Sequence, residues 1–205
     1  MTRYGLAINL ERCFGCMSCA NACKMQNNVP MGMLWNRVIT VGTDVTDGVV
    51  GTYPNLSREY LPLTCQHCDS PACAAVCPVG ATFKDEEGRV LINYDLCIGC
   101  RICMAACPSK VRSFNWETPV RDPDFNYGHR NVPVRPKGVT EKCTLCKERA
   151  IDGQEPMCVV CCPTKARTYG DLDDPDSVIS QLIREKGAYQ LLPERGTDPK
   201  TYYFK

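Results

Sequence analysis

Hydrophobic positions come in short runs along this chain. Leu6, Ile8 and Leu10 alternate with smaller or polar neighbours, which predicts a short strand with one buried face. Val38, Ile39 and Val41, just after Trp35, suggest a second strand. Thr82-Phe83, a turn at Glu86-Glu87-Gly88 and the run Val90-Leu91-Ile92 read as a hairpin. Short helices are expected after Met17, Ile102 and Met157. Only Asp176 to Lys186 carries a sustained helical period, with Val178, Ile179, Leu182 and Ile183 behind an Asp-Pro-Asp start. No apolar run approaches the roughly 18 residues that span a bilayer. Met1 to Leu10 holds one basic residue and no apolar core, so no secretory leader is expected. Two long connections, Val29 to Ser57 and Glu117 to Lys137, are rich in Gly, Pro and Asn. Loops of such length are often functional. Trp35, Tyr53, Trp116 and Tyr127 are their candidate partner anchors, with core packing as the alternative for each.

These elements leave most of the 205 residues without regular structure. Aromatic residues make up only 8%, so a large apolar core is not available. Lys plus Arg is 24 and Asp plus Glu is 23, a net charge near +1. No basic excess advertises a nucleic-acid surface and no acidic run suggests a solvated tail. Cysteine, at 17 residues, is the main architectural fact.

The spacing of the cysteines decides their role. Cys13, Cys16, Cys19 and Cys23 read C-x2-C-x2-C-x3-C, and Cys97, Cys100, Cys103 and Cys107 repeat it. Cys65, Cys68, Cys73 and Cys77 read C-x2-C-x4-C-x3-C, and Cys143, Cys146, Cys158 and Cys162 read C-x2-C-x11-C-x3-C. Pro follows the last Cys in three of the four quartets. Disulfides suit small secreted chains, and here the count is odd and neighbours two residues apart are poorly placed to bond each other. Zinc ribbons use distant C-x2-C pairs, which fits part of the chain but not the tight quartets. The pattern is that of ferredoxin ligation: three thiolates of one loop hold one iron–sulfur cluster, and the fourth reaches a neighbouring cluster.

The chain also repeats itself. Glu11 to Lys24 resembles Asp95 to Pro108, and Thr64 to Ala81 resembles Lys142 to Ala166. The expected fold is α+β, with two bacterial-ferredoxin-like modules, pseudo-two-fold duplicated, long loops and little regular structure. The inner module covers residues 58–116 and is inserted into an outer one built from 1–57 and 117–205, so the chain ends must meet. Exchange of the fourth Cys then gives four ligand sets, each for one [4Fe-4S] cluster. The first is Cys13, Cys16, Cys19 and Cys162. The second is Cys23, Cys143, Cys146 and Cys158. The third is Cys65, Cys68, Cys73 and Cys107. The fourth is Cys77, Cys97, Cys100 and Cys103. The seventeenth, Cys161, is read as a small buried residue beside a cluster, because its neighbour Cys162 has the ligand spacing and precedes Pro163.

With these motifs in hand, the chain resembles the electron-transfer (beta) subunits of dimethyl-sulfoxide-reductase-type molybdopterin oxidoreductases. Besides the quartets, the resemblance covers Tyr4-Gly5-Leu6-Ala7-Ile8-Asn9, Glu141-Lys142-Cys143-Thr144, Gly170 to Pro175 and Leu191 to Thr197. It lies nearest the polysulfide- and arsenate-reductase branch, with sulfoxide reductases and aromatic dehydroxylases as relatives. The resemblance implies a catalytic partner carrying molybdenum or tungsten on pterin. It also implies, in many branches, a membrane quinol subunit or another electron donor. It implies folding in the cytoplasm and export with a twin-arginine partner to the outer face of the membrane, the alternative being a cytoplasmic complex. One departure stands out: after Cys107-Pro108, where relatives commonly have an aromatic residue and Gly, this chain has Ser109 and Lys110.

No base–nucleophile pair, phosphate loop or dinucleotide fingerprint is visible, so an electron relay without chemistry of its own is expected. The alternatives are substrate chemistry at an incompletely ligated cluster and a zinc-binding scaffold. Each oxidised cluster with four thiolates carries about −2, so four would move the protein from near +1 to roughly −7. Lys24, Arg101, Lys110, Lys147 and Lys165 lie close to ligands in sequence and are candidate counter-charges or solvated surface. His67, between Cys65 and Cys68, is read as a loop residue, with donation to a cluster sulfur as the alternative. Because the apolar core is small, bound metal should supply much of the folding free energy. The iron-free chain is therefore expected to be largely unfolded. Limited proteolysis after chelation under reducing conditions checks this, and a compact, resistant apo-protein would contradict it.

Overall fold

The computed structural model describes residues 2–45, 47–120 and 128–205. In chain order it contains β1 (Tyr4–Asn9), α1 (Ser18–Gln26), β2 (Arg37–Thr40), β3 (Val50–Thr52), β4 (Asn55–Ser57) and β5 (Tyr60–Leu63). Then come α2 (Ala72–Ala75), β6 (Thr82–Lys84), β7 (Val90–Ile92), α3 (Ile102–Ala105), β8 (Ser113–Phe114) and β9 (Thr140–Glu141). The last stretch holds α4 (Lys147–Ile151), α5 (Met157–Val160), β10 (Arg167–Asp171), α6 (Val178–Glu185), β11 (Tyr189–Gln190) and β12 (Thr201–Phe204). The class is α+β, with cysteine-bearing dicluster modules repeated along the chain.

The two chain ends lie side by side. β1 pairs antiparallel with β10 and parallel with β12, and β11 adds an edge, giving the order β10-β1-β12-β11. The alternation of Leu6, Ile8 and Leu10 predicts one buried face. Instead Gly5 to Ile8 are all buried, and the strand stops at Asn9. The reason is α6, which covers the other face: Ala7, Ile179 and Phe204 form a small core with Leu172, Leu182 and Ile183 against it. Ala7 is too small to advertise that face in sequence. Helix α6 follows the predicted period and is capped by Ser177, whose side-chain oxygen accepts from the Ser180 N–H at 3.3 Å.

The remaining strands form two-stranded pieces: β2 with β5, β3 with β4, β6 with β7 and β8 with β9. The β6–β7 hairpin is the one predicted. The pairs β2–β5 and β8–β9 cross the boundary drawn between the inner and outer segments, so the two share packing there. The β3–β4 hairpin lies inside what reads in sequence as an unstructured connection. All six of its residues are exposed, so no burial pattern marked it.

A large share of the buried residues is polar or charged. Val139 to Cys143 is one of the deepest segments, and it includes Glu141 and Lys142. Glu141 is fully buried and forms an ion pair with Arg135 at 3.0 Å. It also accepts from Trp35 Nε1 at 3.2 Å and from Asn115 Nδ2 at 2.6 Å. Arg135 stacks over the Trp35 ring and donates to the carbonyls of Asn27 and Asn28. This network ties the two long connections to the centre. Trp35 is therefore a core residue, whereas Tyr53 and Trp116 stand exposed; Tyr127 lies outside the described residues. Breaking a buried ion pair costs about 3–5 kcal/mol, because one charge is left unanswered. Glu141→Gln should lower the denaturant midpoint for loss of cluster absorbance, by that free energy divided by the denaturant slope. An unchanged midpoint would show that the network is dispensable.

Candidate metal centres

Each half of the chain builds the same local loop. In Cys13-Phe14-Gly15-Cys16-Met17 and Cys97-Ile98-Gly99-Cys100-Arg101, both Gly residues have positive φ, at 78° and 69°. The residues after the second Cys, Met17 and Arg101, sit at 60° and 61°. A side chain on Gly15 would strike the Tyr60 ring, and one on Gly99 would strike the Gly138 carbonyl. The second loop type repeats as well: His67 and Leu145, each just before the second Cys, are left-handed at 44° and 56°. So do Lys110 and Lys165, at 48° and 51°, three residues past the last Cys of their quartets. Duplication is thus written in the backbone, and the turns wrap the cysteines round concave spaces.

Three small cavities of similar size lie at these loops. One is lined by Cys13, Cys16, Cys19 and, from the far end of the chain, Cys162. Another is lined by Cys65, Cys68, Cys73 and Cys107. The third is lined by Cys77, Cys97, Cys100 and Cys103. Each joins three cysteines of one quartet to the last cysteine of another. The remaining set, Cys23, Cys143, Cys146 and Cys158, is buried throughout, and Cys23 feels the other three thiols as its strongest charged neighbours. Among the described residues, no three His, Cys, Asp or Glu side chains converge on a point where one ion would sit. The thiols instead surround volumes, which suits a multi-iron cluster and not a single zinc.

The sets form a row. Helix α1 packs on α5, bringing Cys19 of the first set beside Cys158 of the second. Cys143 of the second set meets Cys65 of the third in one buried group with Cys23, Trp35 and Val111. Helix α2 packs on α3, joining the third set to the fourth. Only Cys16 in the first set and Cys100 in the fourth are exposed, one at each end of the row.

The electrostatics divide the thiols. Burial pushes Cys143 up to about 11, with Cys65 and Cys158 adding to it. Burial also pushes Cys68 up to about 11, and lifts Cys23 well above its ordinary range. Cys77 goes the other way: burial raises it, but the backbone N–H groups of Thr82, Val79, Ala81 and Gly80 together hold it below its ordinary value. Cys162 is likewise held low against burial, by Thr164 and by the Ala166 N–H, which donates to its sulfur at 3.3 Å. Amides following Cys-Pro therefore cradle the exchanged sulfur.

Of the bases close to ligands in sequence, Arg101, Lys110 and Lys165 are exposed, and Arg101 stacks on Phe114 and Trp116. Lys24 donates to the carbonyls of Pro30 and Met33, and Lys147 is half-buried. The deeply buried cations are others: Arg89, Arg112, Arg135, Lys142, Arg167 and Lys200. Sequence reasoning missed them. A signal existed for two, because Arg112 and Arg167 hold the same place in Cys107-Pro-Ser-Lys-Val-Arg-Ser and Cys162-Pro-Thr-Lys-Ala-Arg-Thr. His67 is buried, its Nδ1 accepting from the Val90 N–H at 3.1 Å. Burial, then Lys142, Lys200, Arg89 and Arg112, keep it neutral well below its ordinary range. It does not line the cavity of the third set beside it. Cys161 is half-buried against Cys19, Val38 and Cys158.

Buried thiol sets on duplicated loops of this kind define an iron–sulfur protein. The comparison with known proteins agrees. A 4Fe-4S dicluster domain matches residues 56–125 and 129–172, more than half the chain, and a 4Fe-4S binding domain matches 10–26. A Halobacterium salinarum protein, named as an iron–sulfur subunit of dimethyl sulfoxide reductase, is 53% identical over 99% of this chain and 79% of its own. The arsenate respiratory reductase iron–sulfur subunit of a Shewanella species is 40% identical over 99% of this chain and 96% of its own. A selenate reductase subunit of Mesobacillus selenatarsenatis is 38% identical over 97% of this chain and 70% of its own. The chain belongs to the 4Fe-4S dicluster family, among the iron–sulfur electron-transfer subunits of dimethyl-sulfoxide-reductase-type oxidoreductases.

The geometry separates Cys161 from Cys162, since only Cys162 lines a cavity with three other thiols. Cys161→Ser should leave iron and sulfide content unchanged. Cys162→Ser should weaken the cluster at that cavity and favour a three-iron form, seen as a new signal in the oxidised state. Equal losses in both variants would remove the distinction.

Proposed function

We propose that each of the four thiol sets binds one [4Fe-4S] cluster, through the sixteen cysteines assigned above, and that the chain is a non-catalytic relay. Its catalytic partner is a molybdopterin subunit with molybdenum or tungsten. Its donor or acceptor at the other end is a membrane quinol-binding subunit or a soluble carrier. The observation that carries this reading is the exchange at the cavities, where three thiols of one quartet meet the last thiol of another.

The residues fit the group. The amides after Cys77 and Cys162 already point at sulfur. Arg112 Nη2 and Arg167 Nη1 are buried at cavity edges with no acceptor among the described residues, as they would be if the acceptor were a cluster sulfur. When bound, a [4Fe-4S] cluster supplies reversible one-electron chemistry. The chain's own part is to hold the thiolates, exclude water from the middle of the row and expose its two ends. Phe14 stands open beside Cys16, and Leu96, Ile98 and Ile102 stand open beside Cys100. Such apolar rims suit docking of partner subunits at both ends. The relatives are named as subunits of reductases, which supports a catalytic partner.

Iron, sulfide and zinc analysis of anaerobically prepared protein, with low-temperature EPR during reductive titration, tests the reading. The expected result is about sixteen irons and sixteen sulfides per chain with interacting reduced signals. Zinc with little sulfide would overturn it. Iron nearer fifteen with a three-iron signal would point instead to an incomplete cluster open to substrate.

A further inference from the structure

Six Lys and Arg side chains are deeply buried among the described residues. Three face carboxylates: Arg89 faces Asp85 and Glu87, Arg135 faces Glu141, and Lys200 faces Asp69 at 3.9 Å. The other three, Arg112, Lys142 and Arg167, form no ion pair with a carboxylate among the described residues. A buried cation without a counter-charge is strongly unfavourable. Something negative must answer these three.

Their positions say what. Arg167 lines the cavity of the first set and donates Nη2 to Cys19 Sγ at 3.4 Å, while Cys158 of the second set is its strongest charged neighbour. Its orientation is fixed by Asn36 Oδ1, which accepts at 3.0 Å. Lys142 precedes Cys143 of the second set and donates to that residue's carbonyl at 2.8 Å. It also donates to the carbonyl of Val90, which lines the cavity of the third set, and it acts on Cys73 there. Arg112 lines the cavity of the third set beside Cys73, and Cys103 of the fourth set is its next charged neighbour. Its Nη1 donates at 3.2 Å to Thr82 Oγ1, on the wall of the cavity of the fourth set. Four sets in a row make three junctions, and one uncompensated cation sits at each. Two of them, Arg112 and Arg167, stand five residues after the last Cys of their quartets and are held by neutral acceptors. The third is held by main-chain carbonyls at the centre.

We propose that Arg167, Lys142 and Arg112 are the counter-cations of these three junctions, each raising the reduction potentials of the two clusters it separates. The inference rests on the four-cluster reading. Reduction adds an electron to a group that already carries about −2, so a fixed positive charge nearby favours the reduced form. Placed between two clusters, it favours reduction of both and softens the repulsion when both are reduced.

The test is a potentiometric titration, followed by EPR, of the loaded protein and of Arg167→Gln, Lys142→Gln and Arg112→Gln. Each variant should lower two of the four potentials, by about tenfold in the reduction equilibrium, or about 59 mV for a one-electron couple. The overlap is the signature. Two clusters should each respond to two variants, and the other two to one variant each. Arg112→Lys and Arg167→Lys, which keep the charge, should hold the original potentials. Fully loaded Gln variants with unmoved potentials would overturn the proposal, as would all four signals moving together. If a Gln variant fails to load while the corresponding Lys variant loads with native potentials, a charge requirement is supported. If both fail, the side chain's shape is what matters and the proposal falls. Fewer than four clusters in the unaltered protein would break the underlying reading instead. Four normal clusters blind to every variant would break only this inference.

Discussion

The proposed relay requires sixteen thiols to ionise inside a small protein with little apolar core. That constraint organises everything else. Burial, with neighbouring thiols adding to it, pushes Cys143 and Cys68 up to about 11, far from the state that binds iron. Three things act in the other direction: the metal itself, backbone amides turned toward sulfur, and buried positive side chains. The unusual backbone follows from the second. Left-handed residues at Met17, Arg101, Lys110 and Lys165 are the corners that let a short loop aim its cysteines into one space. The unusual interior follows from the third, since a globular protein of this size seldom buries six Lys and Arg side chains.

The row arises from duplication followed by exchange. Within one repeat no quartet closes a site by itself, because its last cysteine turns away toward a neighbour. Helix pairs α1–α5 and α2–α3 do the equivalent work in the two halves, each carrying cysteines of two sets. The middle of the row is closed by a different device. There Cys23, Cys65 and Cys143 pack with Trp35 and Val111, and the Glu141 network pins the long connections over them. The ends stay thin, with Cys16 and Cys100 at the surface. Burial thus rises toward the centre and falls at the termini of the row, which is the profile a conductor needs if electrons enter and leave only at its ends.

The sequence made some of this legible and hid the rest for physical reasons. Cysteine spacing is short-range and rigid, so the quartets could be read directly, and Cys162, Cys107 and Cys77 each line a cavity with three thiols of another quartet. The helix Val178–Glu185 was legible because it has one solvated face. Ala7 was not recognised as doubly buried, since a small residue carries little hydrophobic signal. The β3–β4 hairpin left no trace because none of its residues is buried. Buried cations were the least legible feature. An Arg in a loop ordinarily means solvent, and the shared Cys-Pro-x-Lys-x-Arg run after the third and fourth quartets was the mark of Arg112 and Arg167. The bases nearest the ligands in sequence drew attention, yet Arg101, Lys110 and Lys165 face outward.

The meeting of the two chain ends has a consequence for how the protein comes into being. Among the described residues β1 finds its strand neighbours in residues 167–171 and 201–204, which are made long after it. The fourth and third thiol sets are complete once residues 103 and 107 have left the ribosome, whereas the second and first wait for 158 and 162. A growing chain therefore carries three or four open thiols near its N-terminus throughout synthesis of the interior segment. During that interval Cys13, Cys16, Cys19 and Cys23 are exposed to oxygen and stray metal, so cysteines made well before Cys158 and Cys162 wait longest for protection.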